Sequence, residues 1–280
     1  MPELPEVESV RRLMERTLVG SPLVDVEVVS DDIVFSGHSV SEIEQAFLGK
    51  TIQRIGRRGK FFWWELDSSP VVLGHLGMAG WIRQLGAESM RLHSHGEAPL
   101  DDESGRPRFL KLRLKAASGG EIGFTDSRRF ARVWLAESAD RCSRLAKLGV
   151  DAYAELPEIG WFTGKLGKRK APIKAVLLDQ GLVSGIGNWI ADEVLYRAQI
   201  APARLASSLS EKEVAQLVSA IRSVLDFAVA VDADYTKFPE DWLFHHRWGG
   251  GRGAELISGR EIQRDTVGGR TTAWVPAIQR

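Results

Sequence analysis

The chain has 280 residues with 37 Lys and Arg against 37 Asp and Glu, so no global charge draws it towards nucleic acid, and any such binding must come from charge placed locally. Hydrophobic residues make up 44% and charged residues 26%, which excludes disorder, collagen and coiled coil and leaves room for two ordinary domains. The single Cys142 excludes intrachain disulfides and zinc sites built on cysteine pairs. No run of about 18 or more apolar residues offers a membrane span, and the acidic opening is unlike a signal peptide, so an intracellular protein without membrane contact is expected.

Between Pro5 and Leu18, Val7, Val10, Leu13, Met14 and Leu18 fall at helical spacing, with Glu3 and Glu6 at the end where carboxylates suit the macrodipole. From Leu23 the period becomes two, with Val24, Val26 and Val28 alternating against Asp25 and Glu27, and Ile33-Val34-Phe35 reads as a further strand. Ser41 and Glu44 have the spacing of a capping box opening a short helix to Leu48, stopped by Gly49. Strand-like runs follow at 51–55, 61–66, 71–75, 81–85, 109–114, 121–124 and 132–135, so a sandwich or barrel is expected. Beyond about Ser138 the pattern turns helical, at 141–148, 172–179, 188–198 and 210–231, with Pro172 as a first-turn residue and Gly181 as a stop. The tail returns to hairpin text: Leu256-Ile257, Ser258-Gly259, Glu261-Ile262, then Gly268-Gly269 before Thr271, Thr272, Trp274 and Val275. The fold class is therefore α+β, divided as a β domain over 1–138, a helical domain over 139–248 and a terminal hairpin over 249–280.

Three groups of residues could carry chemistry. If Met1 is removed, Pro2 becomes the N-terminus, and its secondary amine, attacking an aldehyde-level carbon, gives an iminium with a fixed positive charge that acts as an electron sink. Glu3 and Glu6, three residues apart, share a helical face and could relay protons for that amine. The same residues also make an ordinary helix start, and spacing alone does not choose. Second, basic residues beside glycines at Arg57-Arg58-Gly59-Lys60, at Lys168-Arg169-Lys170 with Lys174, and at Gly268-Gly269-Arg270 suit phosphate, as does Ser184-Gly185-Ile186-Gly187-Asn188 ahead of a helix. Solvated faces and tight turns look alike at this level. Third, Met78 in His75-Leu76-Gly77-Met78 and Arg128-Arg129-Phe130 put large side chains at loop tips, where they could wedge into a duplex or simply fill a core. His245 and His246 lack partners at metal-ligand spacing, so no metal and no cofactor is expected.

Taken together, the opening Pro2-Glu3-Leu4-Pro5-Glu6-Val7-Glu8, the His75-Leu76-Gly77-Met78 loop, Asp126-Ser127-Arg128-Arg129-Phe130 and the stretch from Leu177 to Tyr196 closely resemble the formamidopyrimidine-DNA glycosylase (Fpg/Nei) family, over nearly the whole chain. The resemblance implies an N-terminal β-sandwich with an N-terminal helix, a helix–two-turns–helix in the helical domain, and a finger. It further implies a bifunctional glycosylase and abasic-site lyase of base-excision repair. Pro2 would attack C1′ of the damaged nucleoside, Glu3 would protonate the sugar ring oxygen and Glu6 would support the site or the flipped base, with β- and δ-elimination then cutting the strand. Lys60, His75, Arg169, Lys174, Asn188 and Arg270 would hold phosphates, with Lys60 and Arg270 counted in the catalytic set, and Met78, Arg128 and Phe130 would fill the void opposite the orphaned base. The implied partner is double-stranded DNA with oxidised bases or abasic sites, met by a monomer in the nucleus of a eukaryote or the cytoplasm and nucleoid of a bacterium.

Two departures qualify the likeness. The region 253–279 has no cysteine where bacterial members carry a four-cysteine zinc finger, and Gly268-Gly269-Arg270-Thr271-Thr272-Ala273-Trp274-Val275-Pro276 resembles the zincless finger of the plant and fungal branch. Packing of Ile257, Ile262, Val267, Trp274 and Val275 must then hold the hairpin. Oxidised and ring-opened purines are the implied substrates, but the connection 231–242 is short where relatives strong on 8-oxoguanine have a longer Gly-rich loop, so formamidopyrimidines and hydantoins are expected to be excised better than 8-oxoguanine. An endonuclease VIII-like preference for oxidised pyrimidines and a non-catalytic binder of damaged DNA are the competing readings.

Overall fold

The computed structural model of the chain describes residues 2–87, 99–249 and 256–280. It divides into two compact units, Met1–Lys147 with Asp232–Tyr235, and Leu148–Val231 with Thr236–Arg280.

The first unit opens with helix α1 (Leu4–Leu18), followed by β1 (Leu23–Val28), α2 (Val40–Phe47), β2 (Ile52–Arg58), β3 (Phe61–Leu66), β4 (Val71–His75), β5 (Gly80–Gln84), β6 (Leu110–Ala116), β7 (Glu121–Asp126), β8 (Arg132–Ala136) and the single turn α3 (Ser143–Ala146). Two four-stranded sheets form, ordered β1-β6-β7-β5 and β2-β3-β4-β8, with every pairing antiparallel. Strict alternation in β6, where Leu110, Leu112 and Leu114 are buried between half-buried Lys111 and Arg113, turns one sheet face inward. Leu112, Leu114, Ile122 and Phe124 from the first sheet share one core with Ile55, Phe62, Trp64, Val72 and Val133 from the second. That shared core makes the unit a β-sandwich. Val7, Val10, Met14 and Leu18 of α1 enter the same core, so truncating Met14 to Ala costs about 2–5 kcal/mol.

Two local expectations are corrected. Residues 33–35 form no strand, because the Asp31 carboxylate accepts hydrogen bonds from the N–H groups of Ile33 and Val34, and Ser36 and Gly37 follow at positive φ, so the chain turns. The capping box of α2 is Ser39 with Glu42, two residues earlier than Ser41 and Glu44, because Ser39 takes the extended N-cap conformation and exchanges both hydrogen bonds with Glu42.

The second unit contains β9 (Val150–Asp151), α4 (Ile159–Leu166), α5 (Ile173–Leu177), β10 (Val183–Ser184), α6 (Asn188–Arg197), the 20-residue α7 (Glu211–Ala230), and a tail of β11 (Leu256–Ile257), β12 (Arg260–Glu261), β13 (Gln263–Val267) and β14 (Arg270–Trp274). The helix expected at 141–148 is only α3, and Pro172 is the N-cap of α5 rather than its first-turn residue. Helix α4 carries Gly160 and Gly164, which blurred its periodicity, and β13 is exposed at four of five positions, which left no alternation to read. Trp189 packs on Phe238, Trp242 and Phe244, tying the segment that follows α7 back onto α6. The finger is the β13–β14 hairpin, whose Ala273 and Val275 cluster with Leu243, Ile257 and Ile262. Trp274 Nε1 donates to Asp265 Oδ2 across the hairpin at 2.7 Å. No helix among the described residues is long and apolar enough to cross a membrane.

Candidate active site and nucleic-acid contacts

In the first unit the site is organised by the start of α1. Pro2 is buried, and Glu3 and Glu6 are 2% and 4% exposed. Glu3 is the N-cap and Glu6 stands at the third helical position, from which its Oε2 accepts the Glu3 N–H at 3.1 Å. The two carboxylates are thus brought together at the point where Pro2 enters the fold.

The turn that carries Lys60 is tied to α1 through Arg57, a connection that motif reading missed. Arg57 donates from Nε to Glu8 Oε2 of α1 at 2.9 Å and from Nη1 to the Gly59 carbonyl at 3.0 Å. Its side chain is 4% exposed, so Arg57 fixes the β2–β3 turn against the helix instead of facing a phosphate. Lys60 sits at that turn, itself buried. Across the sheet Phe61 pairs with His75, their rings 4.9 Å apart. Burial, with the Lys60 and Arg132 charges nearby, pushes the His75 imidazole down to about 4. Its Nδ1 accepts the Gly77 N–H at 2.9 Å, which fixes the tautomer and leaves the Nε2 proton to be donated.

The loop after β4 carries Met78, and the loop between β7 and β8 carries Arg128 and Phe130. Met78 and Phe130 are each 43% exposed, so neither fills a core. The Arg128 guanidinium stacks on the Phe130 ring, 4.9 Å from its centroid. Gly77, at φ +61°, lies so close to the Phe130 carbonyl that a Cβ there would stand 2.2 Å from its oxygen. The two loops therefore meet backbone to backbone, which only glycine permits.

In the second unit Asn188 opens α6 and donates from Nδ2 to the Thr271 carbonyl of the finger at 2.9 Å, while its Oδ1 is buried without a partner. The turn before it is built by Gln180, whose Oε1 accepts the Gly185 N–H and whose Nε2 donates to the Ile186 carbonyl. Sequence reasoning assigned the turn to its glycines and passed over Gln180, whose position beside Asp179 at a helix end was the available signal. The finger turn seats on α5: Gly268, at φ +59°, would place a Cβ 2.9 Å from that of Ala175. Arg270 begins β14, exposed, beside Thr271, so the fingertip and Asn188 are brought together. Arg169 is exposed and pairs with Asp179 at 3.3 Å.

Lys174 is placed differently from the phosphate contact expected of it. It is fully buried, its Nζ 2.6 Å from Asp192 Oδ1, and it donates to Thr272 Oγ1 at 2.7 Å and the Thr271 carbonyl at 3.0 Å. Asp192 also accepts from Arg247 Nη2 at 2.8 Å. An ammonium so enclosed has no face for a phosphate. Beside it, Glu193 is wholly buried and pushed up to about 7 by that burial, against the Phe244 N–H and Arg197 that hold its charge. The described residues contain no group of three or more His, Cys, Asp or Glu that could hold a metal.

An antiparallel β-sandwich opened by a Pro-Glu helix start, with a helical unit that presents a helix N-terminus beside an arginine-tipped hairpin finger, has the architecture of DNA glycosylases solved with damaged DNA. Residues 1–133 match the formamidopyrimidine-DNA glycosylase N-terminal domain and residues 148–240 the formamidopyrimidine-DNA glycosylase H2TH domain. A formamidopyrimidine-DNA glycosylase of Arabidopsis thaliana is 42% identical over 280 residues, covering 100% of this chain and 71% of its own length. One of Desulfitobacterium hafniense is 35% identical over 295 residues with both chains covered in full. Among solved structures, the Lactococcus lactis Fpg bound to DNA containing an abasic site superposes with a TM-score of 0.79 at 30% identity, and MutM bound to DNA containing carbocyclic 8-oxo-G does the same, each over 100% of both chains. The chain belongs to the formamidopyrimidine-DNA glycosylase family.

Proposed function

We propose that this chain excises oxidised and ring-opened purines from double-stranded DNA through a Schiff base at Pro2 and then cleaves the strand. Family membership makes it a base-excision repair glycosylase that acts on oxidised purines in DNA, with the lyase step that the family carries. The observation that supports the residue-level reading is the buried cluster of Pro2, Glu3 and Glu6, with Glu6 bonded to the Glu3 backbone. A Pro2 amine freed of Met1 forms a bond to C1′ as the bond from C1′ to the base breaks, and the proton lost from the proline nitrogen balances the one the departing base takes up. Glu3 delivers a proton to the ring oxygen, which opens the sugar and leaves a charged iminium. The iminium acidifies the C2′ proton, whose loss expels the 3′ phosphate, and a second elimination expels the 5′ phosphate. Lys60, His75, Arg169, Asn188 and Arg270 hold the backbone, which lets a chain of zero net charge grip DNA by local contacts. Met78, Arg128 and Phe130 fill the space left by the expelled nucleotide.

Formamidopyrimidines and hydantoins are the preferred lesions in this reading. The connection after α7 is a turn with Asp232 and Ala233 at positive φ and the short Tyr235–Lys237 helix, with no Gly-rich stretch to close over a base. Trapping with borohydride on duplexes carrying one defined lesion tests the reading: a covalent adduct is expected from the protein with a free terminus. Absence of an adduct on any lesion or abasic site would leave a DNA binder without this chemistry.

A further inference from the structure

A carboxylate nearly a hundred residues away in sequence holds the loop between β7 and β8. Asp31 is 7% exposed, and its two oxygens take bonds from four directions. The N–H groups of Ile33 and Val34 donate at 3.2 and 3.1 Å, Lys111 Nζ at 2.8 Å, and the Arg129 guanidinium from both Nε, at 3.1 and 3.0 Å, and Nη2, at 2.9 Å. Arg129 Nη2 also reaches Asp32 at 2.9 Å. Although burial alone would raise it, the Arg129 and Lys111 bonds hold the Asp31 carboxyl far below the usual range.

The residue so gripped occupies an unfavourable backbone state. Arg129 has φ 57°, a left-handed conformation that a long side chain adopts only where its surroundings enforce it. Its neighbours on either side are Arg128 and Phe130, the stacked pair that faces solvent. A second carboxylate completes the frame: Asp126 accepts the Arg128 N–H at 3.0 Å and the Ala131 N–H at 2.7 Å. Through the close approach of Gly77 to the Phe130 carbonyl, the Met78 loop rests on the same backbone. The turn that carries Asp31 is in its turn tied to the sheet, since Val133 N–H donates to the Val34 carbonyl at 2.7 Å.

We infer that Asp31, braced by Lys111 and gripping Arg129, is a positioning residue that pre-sets the Met78, Arg128 and Phe130 wedge for insertion opposite the excised base. The inference rests on the wedge role assigned above to those three side chains. Asp31 itself touches no substrate. A wedge that must organise during binding pays an ordering cost each time, so a preformed one favours base extrusion over mere contact with the duplex. The step that needs no extrusion, Schiff-base formation at an abasic site already present, should depend on Asp31 far less.

The experiment uses a duplex with a tetrahydrofuran abasic analogue opposite 2-aminopurine, whose fluorescence rises when the orphan base is unstacked, together with single-turnover excision of a formamidopyrimidine and borohydride trapping at a preformed abasic site. Asp31→Asn keeps the shape and the acceptor for Ile33 and Val34 but removes the charge that grips Arg129. The expected result is loss of most of the fluorescence rise and about a tenfold fall in excision, the scale of one charge-assisted hydrogen bond, with trapping within about twofold of the parent. Phe130→Ala should lose the fluorescence rise as well. If Phe130→Ala loses it and Asp31→Asn keeps it, the positioning role is overturned while the wedge stands. If Phe130→Ala keeps it, the wedge and the inference fall together. An equal fall in excision and trapping, with a lowered Tm, would make Asp31 a general stabiliser and overturn the inference too. Should Asp31→Asn not fold, Arg129→Gln removes the other half of the clamp from a half-exposed side chain and is read by the same outcomes.

Discussion

Replacing Lys174 with Met separates two roles that a basic residue in this position could have. The side chain keeps its length and loses its charge, so Asp192 is left with Arg247 Nη2 at 2.8 Å and the Ala273 N–H at 3.3 Å, while Thr272 Oγ1 and the Thr271 carbonyl lose a donor. Removing one partner of a buried ion pair costs about 3–5 kcal/mol, and the remaining Arg247 contact places this case near the lower end, at about 3 kcal/mol. For a unit of this size that lowers Tm by roughly 10 °C. DNA binding should weaken through the finger, because Arg270 and the Asn188 contact share the strand that Lys174 anchors. The slope of log K against log salt should stay as it is, since no phosphate contact of the Lys174 ammonium is lost. Arg169→Ala, at an exposed position, should do the opposite: Tm unchanged within about 1 °C and a slope shallower by about 0.9. Differential scanning calorimetry and fluorescence anisotropy across a salt series measure both quantities. A Lys174→Met protein with unchanged Tm and a slope shallower by about one would show that the ammonium reaches phosphate after all.

A protein whose terminus is blocked by a retained tag, or Pro2→Gly, should lose the borohydride adduct and strand cleavage while still retarding duplex DNA; undiminished trapping would remove Pro2 from the reaction. His75 is held neutral with its folded value, about 4, below the unfolded 6.5, so the unfolded chain binds more protons between the two: the stability His75 contributes is complete above about pH 6.5 and falls away towards pH 4. An NMR titration of the His75 ring in the free protein should show a midpoint near 4, and one at or above 6.5 would contradict the burial described. Chelators should leave activity unchanged and elemental analysis should find no stoichiometric zinc, the hairpin being held by Trp274 with Asp265 and by the Ile257, Ile262 and Val275 cluster. Single-turnover excision should be faster on formamidopyrimidine and hydantoin lesions than on 8-oxoguanine opposite cytosine, because distorted bases are cheaper to extrude by a few kcal/mol; equal rates would show that the short connection is not the determinant.

The parts of the fold that were legible in the sequence are those whose burial is one-sided. In β6 and α1 the apolar residues repeat at the period of the element because one face meets the core, and so they announce both element and orientation. Residues 33–35 are equally apolar but lie in a turn, since the decisive atoms are the Asp31 oxygens bonded to the following N–H groups, and an aspartate before three apolar residues reads the same in a strand flank. The hairpin strand β13 was illegible for the opposite reason: with Gln263, Arg264, Asp265 and Thr266 all exposed and only Val267 buried, no alternation marks it, and it is defined by its pairing with β14.

The site shows the same asymmetry in its charges. Arg57, Arg129 and Lys174 stand in basic or glycine-flanked runs beside the residues assigned to DNA, and nothing in those runs distinguishes a cation aimed at phosphate from one aimed inward. The difference lies in a distant carboxylate: Glu8 for Arg57, Asp31 for Arg129 and Asp192 for Lys174. Each pair braces a neighbour with a proposed role in DNA binding, respectively the Lys60 turn, the Arg128 and Phe130 loop, and the strand of Arg270. A buried or half-buried cation with a paired carboxylate adds nothing to net charge, yet it fixes where the next side chain points. Such pairs leave the balance of acids and bases unchanged, so in a chain of zero net charge DNA contact rests on where the cations are placed and not on any excess of them. Removing any of the three carboxylates should therefore disturb DNA handling through geometry before it does so through charge.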